Sequence, residues 1–338
     1  MIIDLRSDTF TKPSEKMLQT MFAAEVGDDV FGEDPTIKEL EKKAADMFGM
    51  EAALFCSSGT QTNQVAINVH TRPGDHVICD QYAHIHFYEG GGIAANSGSV
   101  VSGVPGNRGI ITAEQVKNAI KADDQHFPNT TLVGLENTSN KGGGTIYTLE
   151  QIDSIREVCQ ANNLTFHLDG ARVFNAIVES DYSAKDLGKQ FDSISICLSK
   201  GLGAPVGSVL LGTKEFIYRA HRTRKRFGGG MRQAGYLAAA GIYALDNNIE
   251  RLKEDHKKAK ILGEILENKP YVVSVVPIDT NIVMVDIKPE IGTDVVLASW
   301  AKNGIKAMAL SEGRIRLVTH LDITEKMMNG IDFKLELE

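Results

Sequence analysis

The sequence predicts an α/β fold: a large domain built on a mostly parallel sheet, followed by a smaller C-terminal α+β domain. Three observations predict it. Short apolar runs alternate with helical segments through the first 246 residues, at the spacing of βαβ units. Those runs are nearly continuous rather than alternating, as strands covered on both faces require. From about residue 247 the pattern gives way to one long charged helix and then to strands broken by a single further helix. The predicted domains are therefore 1–246 and 247–338.

The elements follow in order. Asp34 suits an N-cap, Pro35 the first helical position and Gly49 a left-handed stop, which predicts a helix through IKELEKKAADMF. A strand AALFC (52–56), the turn SSGT and helical QTNQVAINVH come next. Pro73-Gly74-Asp75 turns the chain into strand HVICD (76–80). Thr112 with Gln115, and Thr148 with Gln151, read as capping boxes that open two helices. The runs TLVGLE (131–136), LTFHLD (164–169), DSISICL (192–198) and GSVLLG (207–212) are the remaining strands of the large domain. The charged helix spans roughly 247–269; YVVSVVP, NIVMVDI, a helix near 292–303 and RIRLVTH (314–320) complete the small domain. The final ITEKMMNGIDFKLELE starts as a helix that Gly330 interrupts.

The bulk properties bound the function. The 338 residues suffice for a full hydrophobic core, and 42% apolar with 24% charged residues is ordinary for a globular protein. A net charge of -8 with no long run of one sign argues against a nucleic-acid or anionic-membrane partner. No apolar stretch approaches a membrane span, and MIIDLRSDTF has neither the basic nor the apolar region of a signal peptide. Cys56, Cys79, Cys159 and Cys197 form no C-x-x-C, so they read as buried reduced thiols of a cytoplasmic protein. The nine histidines show no metal-binding spacing, and no metal is expected.

The chemistry concentrates at strand ends. Lys200 follows DSISICL in a loop of small residues, and Asp169 and Arg172 form an Asp-x-x-Arg at the end of LTFHLD. That combination is what pyridoxal phosphate asks of a protein. The lysine forms an imine with the cofactor's aldehyde, and the carboxylate keeps a proton on the ring nitrogen. Arg172 is placed to reach the ring's phenolic oxygen or a substrate carboxylate. Taken singly, each also reads as an ordinary loop residue. SSGTQTN (57–63) is either a phosphate cradle, with Gly59 and Thr60 at a helix start, or a plain βα turn. In YAHIHFYEGGG (82–92), His84 comes soonest after a strand end and is the candidate for stacking on a flat cofactor. Arg222, Arg224, Lys225 and Arg226 precede a triple glycine and Arg232, a cationic stretch suited to an anion or to a helix C-terminus. Arg314 and Arg316 share one face of RIRLVTH, where a guanidinium can fork a carboxylate.

Together these segments resemble the L-threonine aldolases, pyridoxal-phosphate enzymes of the aspartate-aminotransferase fold (fold type I). The resemblance is carried by DLRSDTFTKPS, GDDVFGEDPTIKELE, SSGTQTNQ, AHIHFYEGGG, LENTSNKGGG, HLDGARVFNA, ISICLSKGLGAPVGSVL and FGGGMRQAG, and runs from residue 6 to residue 320. It implies that Lys200 carries the cofactor, Asp169 pairs with the pyridine nitrogen, His84 stacks on the ring, and Gly59 and Thr60 hold the phosphate. It implies that Arg172 and Arg316 hold the substrate carboxylate with Ser7, from an N-terminal segment (1–12) that contributes to the site. His126 matches a histidine near the substrate hydroxyl, Tyr88 lines the substrate side chain, and Lys225 and Arg232 match basic residues reaching a site shared between subunits. The implied activity is cleavage of L-threonine, L-allo-threonine and related β-hydroxy amino acids to glycine and an aldehyde, by a homo-oligomer (a dimer or a dimer of dimers). The proton acceptor is left open among His84, His126 and a water. A β-eliminating lyase or an aminotransferase on the same scaffold is the alternative. The family ends in a longer helix than GIDFKLELE allows.

Overall fold

The computed structural model describes residues 2–336. In chain order the strands are β1 (Ile3–Asp4), β2 (Ala52–Cys56), β3 (His76–Asp80), β4 (Val100–Val104), β5 (Thr130–Glu136), β6 (Thr165–Gly170), β7 (Ser193–Cys197), β8 (Ser208–Gly212), β9 (Val272–Val275), β10 (Ile282–Ile287), β11 (Ile305–Lys306), β12 (Met308–Ser311) and β13 (Arg314–Val318).

One seven-stranded sheet has the order β2-β8-β7-β6-β5-β3-β4. Strand β8 runs antiparallel to β2 and β7, and every other neighbouring pair is parallel. Every residue of β3, β7 and β8 is buried, including the polar His76, Asp80, Ser193, Ser195 and Ser208, so these strands are covered on both faces. Helices cover the faces, and their signals in the sequence hold at the atomic level. Asp34 caps helix Pro35–Phe48, which Gly49 ends at φ 64°. Both capping boxes form, opening Ala113–Ala119 and Leu149–Ala161.

A second sheet, β12-β13-β10-β9, is antiparallel. It packs on helices Leu252–Glu267 and Thr293–Lys302 around Leu262, Leu266, Trp300, Ile315 and Leu317. The N-terminal segment joins this body rather than the large sheet: β1 pairs with β11, and Leu5 is buried in the same cluster.

One expectation is corrected, one strand was not foreseen, and the tail begins as the helix stopped at Gly330 that was expected. The charged helix begins at Leu252, not near 247, because helix Gly235–Asn247 runs into that region and Asn248 ends it, donating from Nδ2 to the Leu202 carbonyl at 2.8 Å. Strand β4 was hidden by its composition: SGSVVSGVPG reads as turn, and the strand lies at the sheet edge, where only Val104 is buried. The tail forms a single turn of helix, Glu325–Asn329, and then packs. Phe333 is fully buried with its ring 4.7 Å from that of Trp300, and its carbonyl accepts from the Tyr271 hydroxyl at 2.7 Å. All four cysteines are free and buried, as expected.

Asp34 does more than cap. It is 1% exposed, and its two oxygens accept from the backbone amides of Ile37 (3.0 Å), Gly27 (3.2 Å) and Gly235 (2.9 Å). It thereby pins two helix starts and a loop to one another. Asp34→Ala strands three buried donors and is expected to cost ~2–4 kcal/mol. The check is the thermal midpoint of the variant, expected several degrees below that of the parent; an unchanged midpoint contradicts the assignment.

Candidate active site

The parallel strands deliver their C-terminal ends to one edge, where α/β sheets of this kind bind ligands. On that edge Asp169 of β6 is cross-strand partner to Glu136 of β5. Lys200 lies three residues beyond β7, and His84 opens a short helix (His84–Phe87) soon after β3. A cavity of ≈ 360 Å³ opens between this edge and the second sheet. It is lined by Ser7, Thr9, His84, Tyr88, Asn140, Arg172, Lys200, Arg316 and the β12 residues Met308 to Leu310.

Three cations face the cavity and each is placed differently. Arg172 is buried and forks Asp8, with Nε to Oδ2 at 2.8 Å and Nη2 to Oδ1 at 2.7 Å. Burial opposes ionisation of Asp8, but the Arg172 charge and its hydrogen bonds hold that carboxyl well below the usual carboxylate range. Arg316 is 9% exposed. Its Nη1 donates to Asn140 Oδ1 at 2.7 Å and its Nη2 to the Arg6 carbonyl at 3.1 Å, while Nε has no partner among the described residues. Burial and the nearby Arg172 charge push Arg316 down to about 10. Lys200 lies near enough to Asp8 for its charge to stabilise that carboxylate.

Beneath the cavity lies a set of buried carboxylates. Asp169, 2% exposed, accepts from Asn63 Nδ2 at 2.9 Å and from the Ala171 amide at 3.1 Å. Glu136 accepts from the backbone amides of His84 (2.8 Å) and Asn140 (2.9 Å); burial and the Asp169 charge raise its pKa. His84 Nδ1 meets Glu89 Oε1 at 3.0 Å. Burial disfavours its protonation, yet the Glu89 hydrogen bond and the charges of Asp169, Glu89 and Glu136 raise its pKa above the ordinary histidine value. Tyr88 stands at the mouth, half exposed, with its ring 5.8 Å from that of His84.

Gly59 and Thr60 start the helix Gly59–His70, whose N-cap Ser58 accepts from the Gln61 amide. The Gly59 and Thr60 amides have no partner among the described residues, as the first turn of a helix leaves them. A Cβ at Gly59 would lie 2.8 Å from Cys197 Sγ, so only glycine brings this helix start so close to β7. Ser7, His84, Tyr88, Arg172, Lys200 and Arg316 thus share one cavity, with Asp169 and the Gly59–Thr60 turn behind it.

The other predicted residues lie elsewhere in the chain. His126 sits in an exposed loop, its Nδ1 2.6 Å from Asp124 Oδ1, and does not line the cavity. Lys225 is exposed on helix Lys214–Arg226. Arg232 is exposed and pairs with Asp28 at 2.9 Å. Within the neighbouring cationic stretch Arg224 is structural, buried against the Phe55 carbonyl and Asp29. Arg314 forks Asp286 across the sheet and stays out of the cavity. The expected role of Arg172 on a substrate carboxylate is narrowed, because Asp8 takes its Nε and Nη2.

Sequence reasoning passed over Asp8, Glu89, Glu136 and Asn140. Asp8, Glu89 and Asn140 sit inside the segments RSDT, YEGGG and SNKGGG, so proximity to the chosen residues was the available signal. For Glu136, nothing but strand register shows that it stands beside Asp169.

The residues present fit pyridoxal phosphate. Lys200 is there for the aldehyde, the buried carboxylate of Asp169 for a protonated ring nitrogen, free helix-start amides for a phosphate, and the Arg316 guanidinium on the cavity wall for a carboxylate. Comparison with known proteins agrees. A family model described as β-eliminating lyase matches residues 4–290. The low specificity L-threonine aldolase of Escherichia coli (strain K12) is 43% identical over 97% of this chain and 96% of its own length. A probable low-specificity L-threonine aldolase of Arabidopsis thaliana is 42% identical, over 96% of this chain and 93% of its own. A threonine aldolase structure from Leishmania major superposes with a TM-score of 0.84 at 23% identity, over 96% of each chain.

The Asp8–Arg172 pair carries a pH dependence of stability. The folded pKa of Asp8 is depressed below its ordinary 3.8, so its contribution is complete above that value and is lost as the pH falls below it, through the folded value. Asp8→Asn leaves Arg172 buried without a counter-charge, an expected cost of ~3–5 kcal/mol at neutral pH. Unfolding titrations at pH 7 and below 3.8 check this: the gap between parent and variant is expected to narrow on acidification, and a constant gap counts against the ion pair.

Proposed function

The chain belongs to the β-eliminating lyase family, and from that membership we propose that it is a pyridoxal-phosphate-dependent L-threonine aldolase, cleaving L-threonine and L-allo-threonine to glycine and acetaldehyde. The observation that carries this reading is a single cavity lined by Lys200, Arg316 and the imidazole of His84. Pyridoxal phosphate supplies the electron sink for the pair released when the Cα–Cβ bond breaks.

The chain's own residues do the rest. Lys200 Nζ is the attachment point, and Asp169 holds the ring nitrogen's proton. Arg316 would take the substrate carboxylate with Ser7 and so would limit rotation about the substrate's N–Cα bond. Arg172, held by Asp8, retains Nη1 for the ring's phenolic oxygen. His84 Nε2 accepts the β-hydroxyl proton, because Nδ1 is already engaged by Glu89 and only the other edge remains for the cavity. We therefore take His84, rather than the exposed His126, as the residue that receives the proton, directly or through one water. Tyr88 and the β12 residues flank the space for the side chain, and a wall that is mostly apolar discriminates modestly among β-substituents. Low specificity toward related β-hydroxy amino acids follows.

His126, Lys225 and Arg232 are exposed and outside their own chain's cavity, which supports their reaching a neighbouring copy's site in a homotetramer built as a dimer of dimers. No helix among the described residues is long and apolar enough to cross a membrane, in keeping with a cytoplasmic enzyme. The β-eliminating lyase description keeps a second reading in play, elimination or transamination at the same cavity.

The deciding experiment is steady-state kinetics on the four threonine stereoisomers, with glycine and acetaldehyde measured beside keto acid and ammonia. Glycine and acetaldehyde are expected in equal amounts from both L-isomers; keto acid and ammonia as main products overturn the aldolase reading. Lys200→Ala is expected to lose the borohydride-reducible attachment of the cofactor and at least ~10³-fold in turnover. A reducible attachment persisting at another lysine sinks the assignment.

A further inference from the structure

Glu89 does not line the cavity, yet three side chains around it anchor it. Its side chain has no exposed surface. Oε1 accepts from Asn63 Nδ2 at 2.9 Å and meets His84 Nδ1 at 3.0 Å, and Oε2 accepts from Gln64 Nε2 at 2.6 Å. Each of those amides is oriented by a further bond. Gln64 Oε1 accepts from Asn96 Nδ2 at 3.1 Å, and a Cβ at Gly92 would drive into the Gln64 amide. Asn63 Oδ1 faces His167 Nε2 at 3.2 Å, while its Nδ2 donates to both Glu89 and Asp169. Two carboxylates on one amide group leave no choice of orientation, because a carbonyl there would meet acceptors only.

His84, Glu89 and Asp169 bring one ligand atom each within 4.8 Å of one another, the spacing of a metal site. The Asn63 donor on both carboxylates gives that cluster a different purpose. We propose that Glu89 is a positioning residue for the aldol cleavage: it fixes the plane and tautomer of His84, with the proton on Nδ1, and so presents Nε2 to the cavity as the proton acceptor. Asn63 ties that orientation to Asp169, so the residue beside the cofactor ring and the residue at its nitrogen are set by one network. A carboxylate behind an imidazole raises its basicity and selects its tautomer.

The charged and titratable groups around His84 are Glu89, Asp169 and Glu136 beneath it, and Tyr88, Arg172, Lys200 and Arg316 around the cavity. The three carboxylates raise the His84 pKa against its burial. Replacing Glu89 by glutamine keeps the shape and removes one of them, so the folded pKa of His84 falls. The acid limb of kcat/KM, where the base is lost by protonation, then moves to lower pH, and the weaker base lowers the plateau.

The proposal rests on the aldolase reading, and the test separates the two. In the holoenzyme, Glu89→Gln is expected to lower kcat ~10–100-fold with the KM for L-threonine within ~3-fold, and to move the acid limb down. It is also expected to change the visible circular dichroism of the bound cofactor, because the ring beside it is no longer held in one plane. In a His84→Asn background the same substitution is expected to add little, since Glu89 acts through His84. Glu89→Asp keeps the charge but withdraws it, and is expected to retain the acid limb with a smaller loss; it serves as the readout if the glutamine variant folds poorly. A wild-type profile and dichroism in Glu89→Gln, or full additivity with His84→Asn, overturn the proposal. An absence of glycine release by the parent enzyme overturns the aldolase reading instead.

Discussion

The buried pair Asp8–Arg172 is the contact on which the geometry of this site depends. Asp8 rides on the N-terminal segment, Arg172 follows β6 of the large sheet, and Asn281, just before β10, donates to Asp8 Oδ2 at 3.4 Å. One carboxylate thus joins three separate parts of the chain. A buried ion pair adds little net stability over an apolar substitute, because desolvation offsets most of the attraction. What it supplies is position. Two parallel hydrogen bonds fix the guanidinium plane, and the segment carrying Ser7 is fixed with it. The backbone reinforces the arrangement: the Val318 amide donates to the Leu5 carbonyl at 2.8 Å, and β1 pairs with β11. Ser7 therefore faces the cavity only when both bodies are folded and docked.

The charges of the cavity are layered. Cations line it, in Lys200, Arg172 and Arg316, and carboxylates lie below, in Asp169, Glu136, Glu89 and Asp8. Such an arrangement attracts anionic phosphates and carboxylates while the cations stay compensated from beneath. Arg316 and Arg172 are compensated differently. Asn140 and the Arg6 carbonyl hold the two terminal nitrogens of Arg316, so it is oriented without being neutralised, whereas Arg172 already has a full counter-charge.

Much of the fold was legible because local signals agreed with tertiary ones. The caps at Asp34, Thr112 and Thr148 and the short, largely apolar strands β2, β5 and β8 each have one physical cause acting over a few residues. Strand β4 failed because an edge strand needs little apolar surface, and its serines and glycines carry turn character. The start of helix Leu252–Glu267 failed because Asn248 stops the preceding helix through a contact with Leu202, which lies far away in sequence. In the site, residues whose chemistry is intrinsic were found: an amine at a strand end, a carboxylate at another. Residues whose role is relational were not. Asp8, Glu89, Glu136 and Asn140 matter because of what they touch, and neither strand register nor loop packing can be read from residue type.

That distinction bears on how the imidazole at position 84 acquires its chemistry. A histidine stacked over a ring needs only a flat surface and an approach from a strand end, which the local sequence supplies. A histidine that accepts a proton on cue needs one nitrogen committed elsewhere, and that commitment is made five residues later by a carboxylate turned back toward it. The one-turn helix His84–Phe87 brings position 89 back beside position 84, and Gly92 leaves room for Gln64 to grip Glu89 from behind; Gly90 and Gly91, at φ 61° and 72°, then lead into the next helix. Gly92 at the end of the motif therefore serves the imidazole that begins it. In the proposed role of Glu89, Asn63 and Gln64 hold the carboxylate, and the carboxylate engages Nδ1 of His84 so that Nε2 is left for the cavity.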